Sequence, residues 1–130
     1  MAALHFPDGT FVVVATGHSA KTFHVKNGSL AHDADWTPQD LNDDGPAGKT
    51  PPDLSSKDID EATFSKQIAD KLNTMALQNA LQSLILVADP GTLGEIRPLL
   101  HREVVEKVLL EQAKTLINSP VEDIERSLAA

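Results

Sequence analysis

The chain has 130 residues, 41% of them hydrophobic, which suffices for one globular core and falls short of two. It contains no cysteine, so a disulfide framework, a thiolate nucleophile and a Cys-based zinc or iron-sulfur site are excluded. A formal charge of −8 argues against nonspecific nucleic-acid binding, because a binder needs a basic surface to displace counterions from phosphate.

Phe11-Val12-Val13-Val14-Ala15 is a continuous apolar, β-branched run, the pattern of a central strand covered on both faces. Residues 21–26 alternate instead, with Phe23 and Val25 on one face and Thr22 and His24 on the other, as in a half-exposed antiparallel strand. Asn27-Gly28 supplies a type I′ turn, and residues 29–32 are expected to return as a short third strand.

Residues 33–57 read as a long acidic loop, expected to be disordered. Pro38, Pro46, Pro51 and Pro52, with Gly45 and Gly48, leave little room for regular structure there. The wider span 31–63 holds nine acids against Lys49 and Lys57, a net −7, nearly all of the chain's excess.

A helical period follows over 59–80, with Phe64, Ile68, Leu72, Met75 and Ala76 on one stripe and Asp58 placed to cap its start. Leu84-Ile85-Leu86-Val87-Ala88 is a second buried strand. Asp89-Pro90 has the form of a helix cap with proline at the first helical position, and Thr92-Leu93-Gly94-Glu95 has capping-box spacing. Pro98 shortens whatever helix starts there.

Residues 107–112 fit a helix by propensity and a sheet-completing strand by context, and the strand is chosen. Ser119-Pro120-Val121-Glu122 opens a final helix with Val121, Ile124 and Leu128 facing inward. Helices linking apolar strands imply a single α/β domain, a mixed sheet with helices on both faces.

Several segments imitate chemistry. Asp43-Asp44-Gly45-Pro46-Ala47-Gly48-Lys49-Thr50 misses a phosphate-binding loop because Asp43 stands in the place of the first glycine, with no apolar strand before it and Pro51-Pro52 after it. Asp40-Leu41-Asn42-Asp43-Asp44-Gly45 matches half of a calcium loop, but Pro51 occupies the position of the bidentate glutamate. His32-Asp33-Ala34-Asp35 offers metal-ligating atoms, whereas His5, His18, His24 and His101 have no spacing that builds a site. Thr16-Gly17-His18-Ser19 lacks the glycine pattern of a nucleophile elbow and reads as a turn. No carboxylate lies on the first strand, as two-metal hydrolysis on a ribonuclease H-like sheet would want, and Asp89 stands alone at the end of its strand.

No catalytic residue, metal or cofactor is therefore expected, and the apolar runs are too short for a bilayer. The expected contact surface comprises Gly17, His18, Ser19 and Lys21 in the first turn, Trp36, Asp89 and Lys114. Trp36, the single tryptophan, either anchors a basic partner or folds back onto the core.

Residues 11–23, FVVVATGHSAKTF, resemble bacterial proteins grouped as required for attachment to host cells. So does the block 83–128, through LILVADPGTLGEIR, Leu100-His101-Arg102-Glu103-Val104 and Lys114-Thr115-Leu116 leading to Pro120-Val121-Glu122-Asp123-Ile124-Glu125. The sequence departs from that family at Ala113, Thr115 and Ile117, where acidic and hydroxyl residues are common. The likeness also supports a strand before Lys114. The family is similar in turn to the middle domain of archaeal and eukaryotic release factors, which implies a ribonuclease H-like α/β fold.

In those factors the loop before the long helix carries Gly-Gly-Gln, a tripeptide found nowhere in this chain. The resemblance thus implies a noncatalytic binding or regulatory module in the cytoplasm, indirectly required for attachment, and the acids around Trp36 suit an otherwise unknown protein partner of basic surface. Direct nucleic-acid or membrane binding is not expected. The alternatives are a ribosome-associated factor on a release-factor scaffold, and a metal-dependent hydrolase of RNA or nucleotide using Asp89 or the loop acids.

Overall fold

A computed structural model of the protein describes residues 6–37 and 61–129. The two apolar runs form strands β1 (Phe11–Ala15) and β4 (Leu84–Ala88), which pair in parallel at the heart of a five-stranded sheet. Both lie there because each offers apolar side chains to both faces. Strands β2 (Ala20–Lys26) and β3 (Ser29–Trp36) extend the sheet antiparallel on one side, and β5 (Val108–Ala113) extends it in parallel on the other, in the order β3-β2-β1-β4-β5. Asn27 and Gly28, with φ of 53° and 78°, make the left-handed turn between β2 and β3 that a two-residue hairpin requires.

Alternation along β1 and β4 divides the core in two. Val13, Ala15, Leu84, Leu86 and Ala88 face helices α1 (Glu61–Leu77) and α2 (Pro90–Ile96), where they meet Phe64, Ile68, Leu72, Leu93 and Ile96. Val12, Val14, Ile85 and Val87 face Phe23 and the inner residues Ile124 and Leu128 of the last helix, which is separated from β5 in the chain by residues 114–120. A 3₁₀ turn (Arg97–Leu99) and a short helix α3 (Arg102–Val105) lead from α2 into β5, and the last helix is α4 (Val121–Ala129). The sheet is mixed and carries helices on both faces. No helix among the described residues is long and apolar enough to cross a membrane.

Four local readings of the sequence are corrected. The third strand does not stop at 32, so residues 33–36 belong to the sheet and not to the acidic loop. Thr22 clamps this extension, its hydroxyl donating to the Ala34 carbonyl and accepting from the Ala34 amide, both at 3.1 Å. A register shift between Thr22 and Phe23 absorbs the irregularity. Residues 38–57 of the expected loop, and the expected cap Asp58, lie outside the described residues.

At α2, Asp89 is the N-cap and accepts from the Thr92 amide at 3.1 Å, with Pro90 in the first turn, so Thr92 stands inside the helix and does not cap it. At α4, Val121 is 37% exposed, since the first residue of the helix overhangs the core that Ile124 and Leu128 enter. Finally, α1 ends at Leu77 and not near 80. Asn79, at φ 59°, donates to the Ala76 carbonyl and Ala80 donates to the Met75 carbonyl, a Schellman closure with asparagine in the usual glycine position.

Candidate functional site

Strands β1, β4 and β5 run the same way, so their carboxyl ends share one edge of the sheet, the edge at which open α/β sheets commonly bind. The register draws a row across it: Trp36, Ala20, Ala15, Ala88 and Ala113 are successive neighbours on β3, β2, β1, β4 and β5. Residues that follow or precede this row in sequence therefore come together. Gly17, His18, Ser19, Lys21, Trp36, Asp89 and Lys114 are distant in the chain and adjacent to this single edge.

Thr16, which the sequence did not single out, organises the first turn. Its hydroxyl accepts from the amides of His18 at 3.2 Å and Ser19 at 3.3 Å, and its own amide donates to the Ser19 carbonyl at 2.8 Å. Gly17 is consequently buried while the His18 side chain stands on the outside. Lys21 lies directly across from Asp35 in the β2–β3 pairing, and opposite charges in such positions are favourable.

Trp36 packs into the core. It is 8% exposed, with its ring centroid 5.9 Å from that of Phe11. Of the two readings open to it, the structure takes the second, and Trp36 leaves the contact surface. Its register partner Ala20 is small and shares the same buried cluster, against which Phe11 also packs.

Asp89 follows β4 directly, and one of its oxygens is engaged in capping α2. Behind it, the Thr92 hydroxyl is buried and makes no hydrogen bond. Lys114 follows β5 and is exposed. Its ammonium donates to Ser127 Oγ at 3.0 Å, and Ser127 donates to Gln112 Oε1 at 2.8 Å. Gln112 completes the network by donating to the Ser127 carbonyl at 3.0 Å. The cation thus sits in the last turn of α4, where the helix dipole favours positive charge. Ser127 and Gln112 were invisible to sequence reasoning, since nothing local indicates that α4 returns against β5.

Elsewhere on the sheet, His24 Nδ1 and His32 Nε2 each lie 2.7 Å from a carboxylate oxygen, of Asp33 and Asp35 respectively. The His32–Asp33–Ala34–Asp35 segment is therefore strand, and its histidine pairs within the strand. Among the described residues no group of three or more His, Cys, Asp or Glu side chains could hold a metal ion. What the edge does present is charge of both signs, Lys21 and Lys114 with Asp89, together with the exposed imidazole of His18.

A five-stranded mixed sheet of this kind, covered by helices on both faces, is a release-factor-like α/β domain. Residues 9–128 match bacterial archaeo-eukaryotic release factor family 12, and the chain belongs to that family. The match carries the release-factor half of the resemblance; the attachment grouping has no counterpart in it. A search of curated proteins found no match to the chain.

Proposed function

We propose that the chain is a noncatalytic binding module on a release-factor scaffold, acting in the cytoplasm through the carboxyl edge of its sheet. One observation carries this reading: residues 9–128 belong to a release-factor family, yet no Gly-Gly-Gln occurs in the chain. Fold does not fix function, and a scaffold without the tripeptide keeps its surface but not that chemistry. The capping role of Asp89 points the same way, because one oxygen of the carboxylate that follows β4 is engaged by a backbone amide.

The partner is a protein with a basic surface. The net −7 of residues 31–63 favours such a partner by charge. Any requirement in host attachment is then indirect, and an adhesion assay on cells lacking the chain tests it. Family membership favours a second reading, a ribosome-associated factor.

The experiment is affinity capture from native lysate, with and without RNase, comparing the chain with Asp40→Asn/Asp43→Asn/Asp44→Asn. A basic protein that survives RNase and is lost with the acids supports the binding module. Ribosomal proteins that vanish with RNase establish the second reading instead, and no specific partner for either chain overturns both.

A further inference from the structure

The two faces of the sheet are covered unequally. On one, α1 runs for 17 residues and buries Phe64, Ile68 and Leu72, and α2 adds Leu93 and Ile96. On the other, the only helix among the described residues is α4, nine residues long, which sets Ile124 and Leu128 among Val12, Val14, Ile85 and Val87. A helix this short is not stable alone, so the contacts that keep it helical are those that hold it to the sheet.

The polar contacts between α4 and the strands all use side chains. Glu125 Oε2 accepts from the Leu30 amide on β3, and Ser127 meets Gln112 of β5 and Lys114 just beyond it. These groups are half-buried or exposed, so water replaces such bonds at modest net cost. Connectivity adds to the contrast. In the chain α1 lies between β3 and β4, and α2 between β4 and β5, so strands anchor both at each end. No strand among the described residues follows α4, and its departure breaks no strand pairing.

We infer that α4 is a detachable cap, which lifts from the sheet as a unit while the five strands, α1 and α2 stay folded. Lifting bares the apolar face of Val12, Val14, Ile85 and Val87. It also parts Ser127 from Lys114, so the cation beside the carboxyl edge loses that partner in the same event. Openings of this kind fall between the fraying of a terminus and global unfolding, and involve one cooperative unit.

The chain has no cysteine, so a single introduced thiol reports one place. Val12 and Val13 are adjacent, fully buried and turned to opposite faces. In the full chain without denaturant, Val12→Cys and Val87→Cys, both under α4, are expected to react with an aromatic disulfide reagent at least about tenfold faster than Val13→Cys. Either of the first two serves should the other fail to fold, as judged by circular dichroism. Ile68→Val then separates cap lifting from global unfolding. It weakens packing under α1, which survives the lifting of α4, so it speeds labelling of Val13→Cys roughly two- to tenfold and leaves that of Val12→Cys and Val87→Cys unchanged. Equal rates on the two faces, a faster reaction at Val13→Cys, or acceleration of both faces by Ile68→Val overturns the inference.

Discussion

The amide of Leu30 donates to Glu125 Oε2 at 2.7 Å, across 95 positions of sequence. Leu30 belongs to the edge strand β3 and Glu125 to the middle of α4, so one bond ties the last helix to a strand two places from the centre of the sheet. It matters because α4 has nine residues and buries Ile124 and Leu128, too little for a helix to hold its place by itself.

Glu125→Ala leaves the Leu30 amide without its charged acceptor and is expected to cost about 1–3 kcal/mol. Glu125→Gln keeps an acceptor oxygen and costs less. Urea denaturation of the three proteins gives the comparison, and equal midpoints for all three would show that the bond contributes nothing.

Trp36 is the chain's single tryptophan, so its fluorescence reports one place. Buried against Phe11, it should emit in the blue-shifted range of an apolar site and move to the red on unfolding. Trp36→Ala is expected to cost about 3–5 kcal/mol, as for other buried large aromatics. A native spectrum typical of water-exposed indole would contradict the burial.

Asp89→Ala removes the cap of α2 and should lower stability by about 0.5–2 kcal/mol, whereas Asp89→Asn, another good cap, retains most of it. The same pair of variants judges the hydrolase alternative. The binding-module reading expects no divalent-dependent hydrolysis of RNA or nucleotide by any of the three proteins. Hydrolysis by the parent chain that both variants lose would establish Asp89 as a metal ligand in place of a structural cap.

The alanine row makes a graded prediction. Ala88 is fully buried, and Ala88→Leu must push into packed neighbours at a cost of about 1–3 kcal/mol. Ala113, at the exposed end of the same row, should accept serine within about 0.5 kcal/mol. Thermal unfolding of the two variants measures the difference.

Strands β1 and β4 were legible in the sequence because both faces of each are buried, which leaves uninterrupted apolar runs. The end of β3 was not. His32, Asp33, Ala34 and Asp35 are exposed on an edge strand whose register shifts, so neither hydrophobicity nor alternation marked them as sheet. The Schellman stop at Asn79 left only an asparagine as its sign. Residues of the candidate edge were named singly, from turn and cap chemistry. That β5 lies beside β4, which places Lys114 at the same edge as His18 and Asp89, depends on pairings between residues far apart in the chain. Periodicity carries no information about such pairings.

Strand β1 is the seam between two kinds of pairing, antiparallel to β2 and parallel to β4. On its β2 side the chain returns through tight turns, so those contacts close at small entropic expense. On its β4 side they wait for a crossover that includes all of α1. A β-meander of three strands is thus available early in folding, and it already presents β1 as a template with one free edge. Substitutions at Val13 should slow refolding, while those at Ile124 in α4 should chiefly speed unfolding, a division that stopped-flow kinetics would resolve. The expected order is that β1 fixes its place before β4 is recruited, so that the middle of this sheet is laid down from one side to the other.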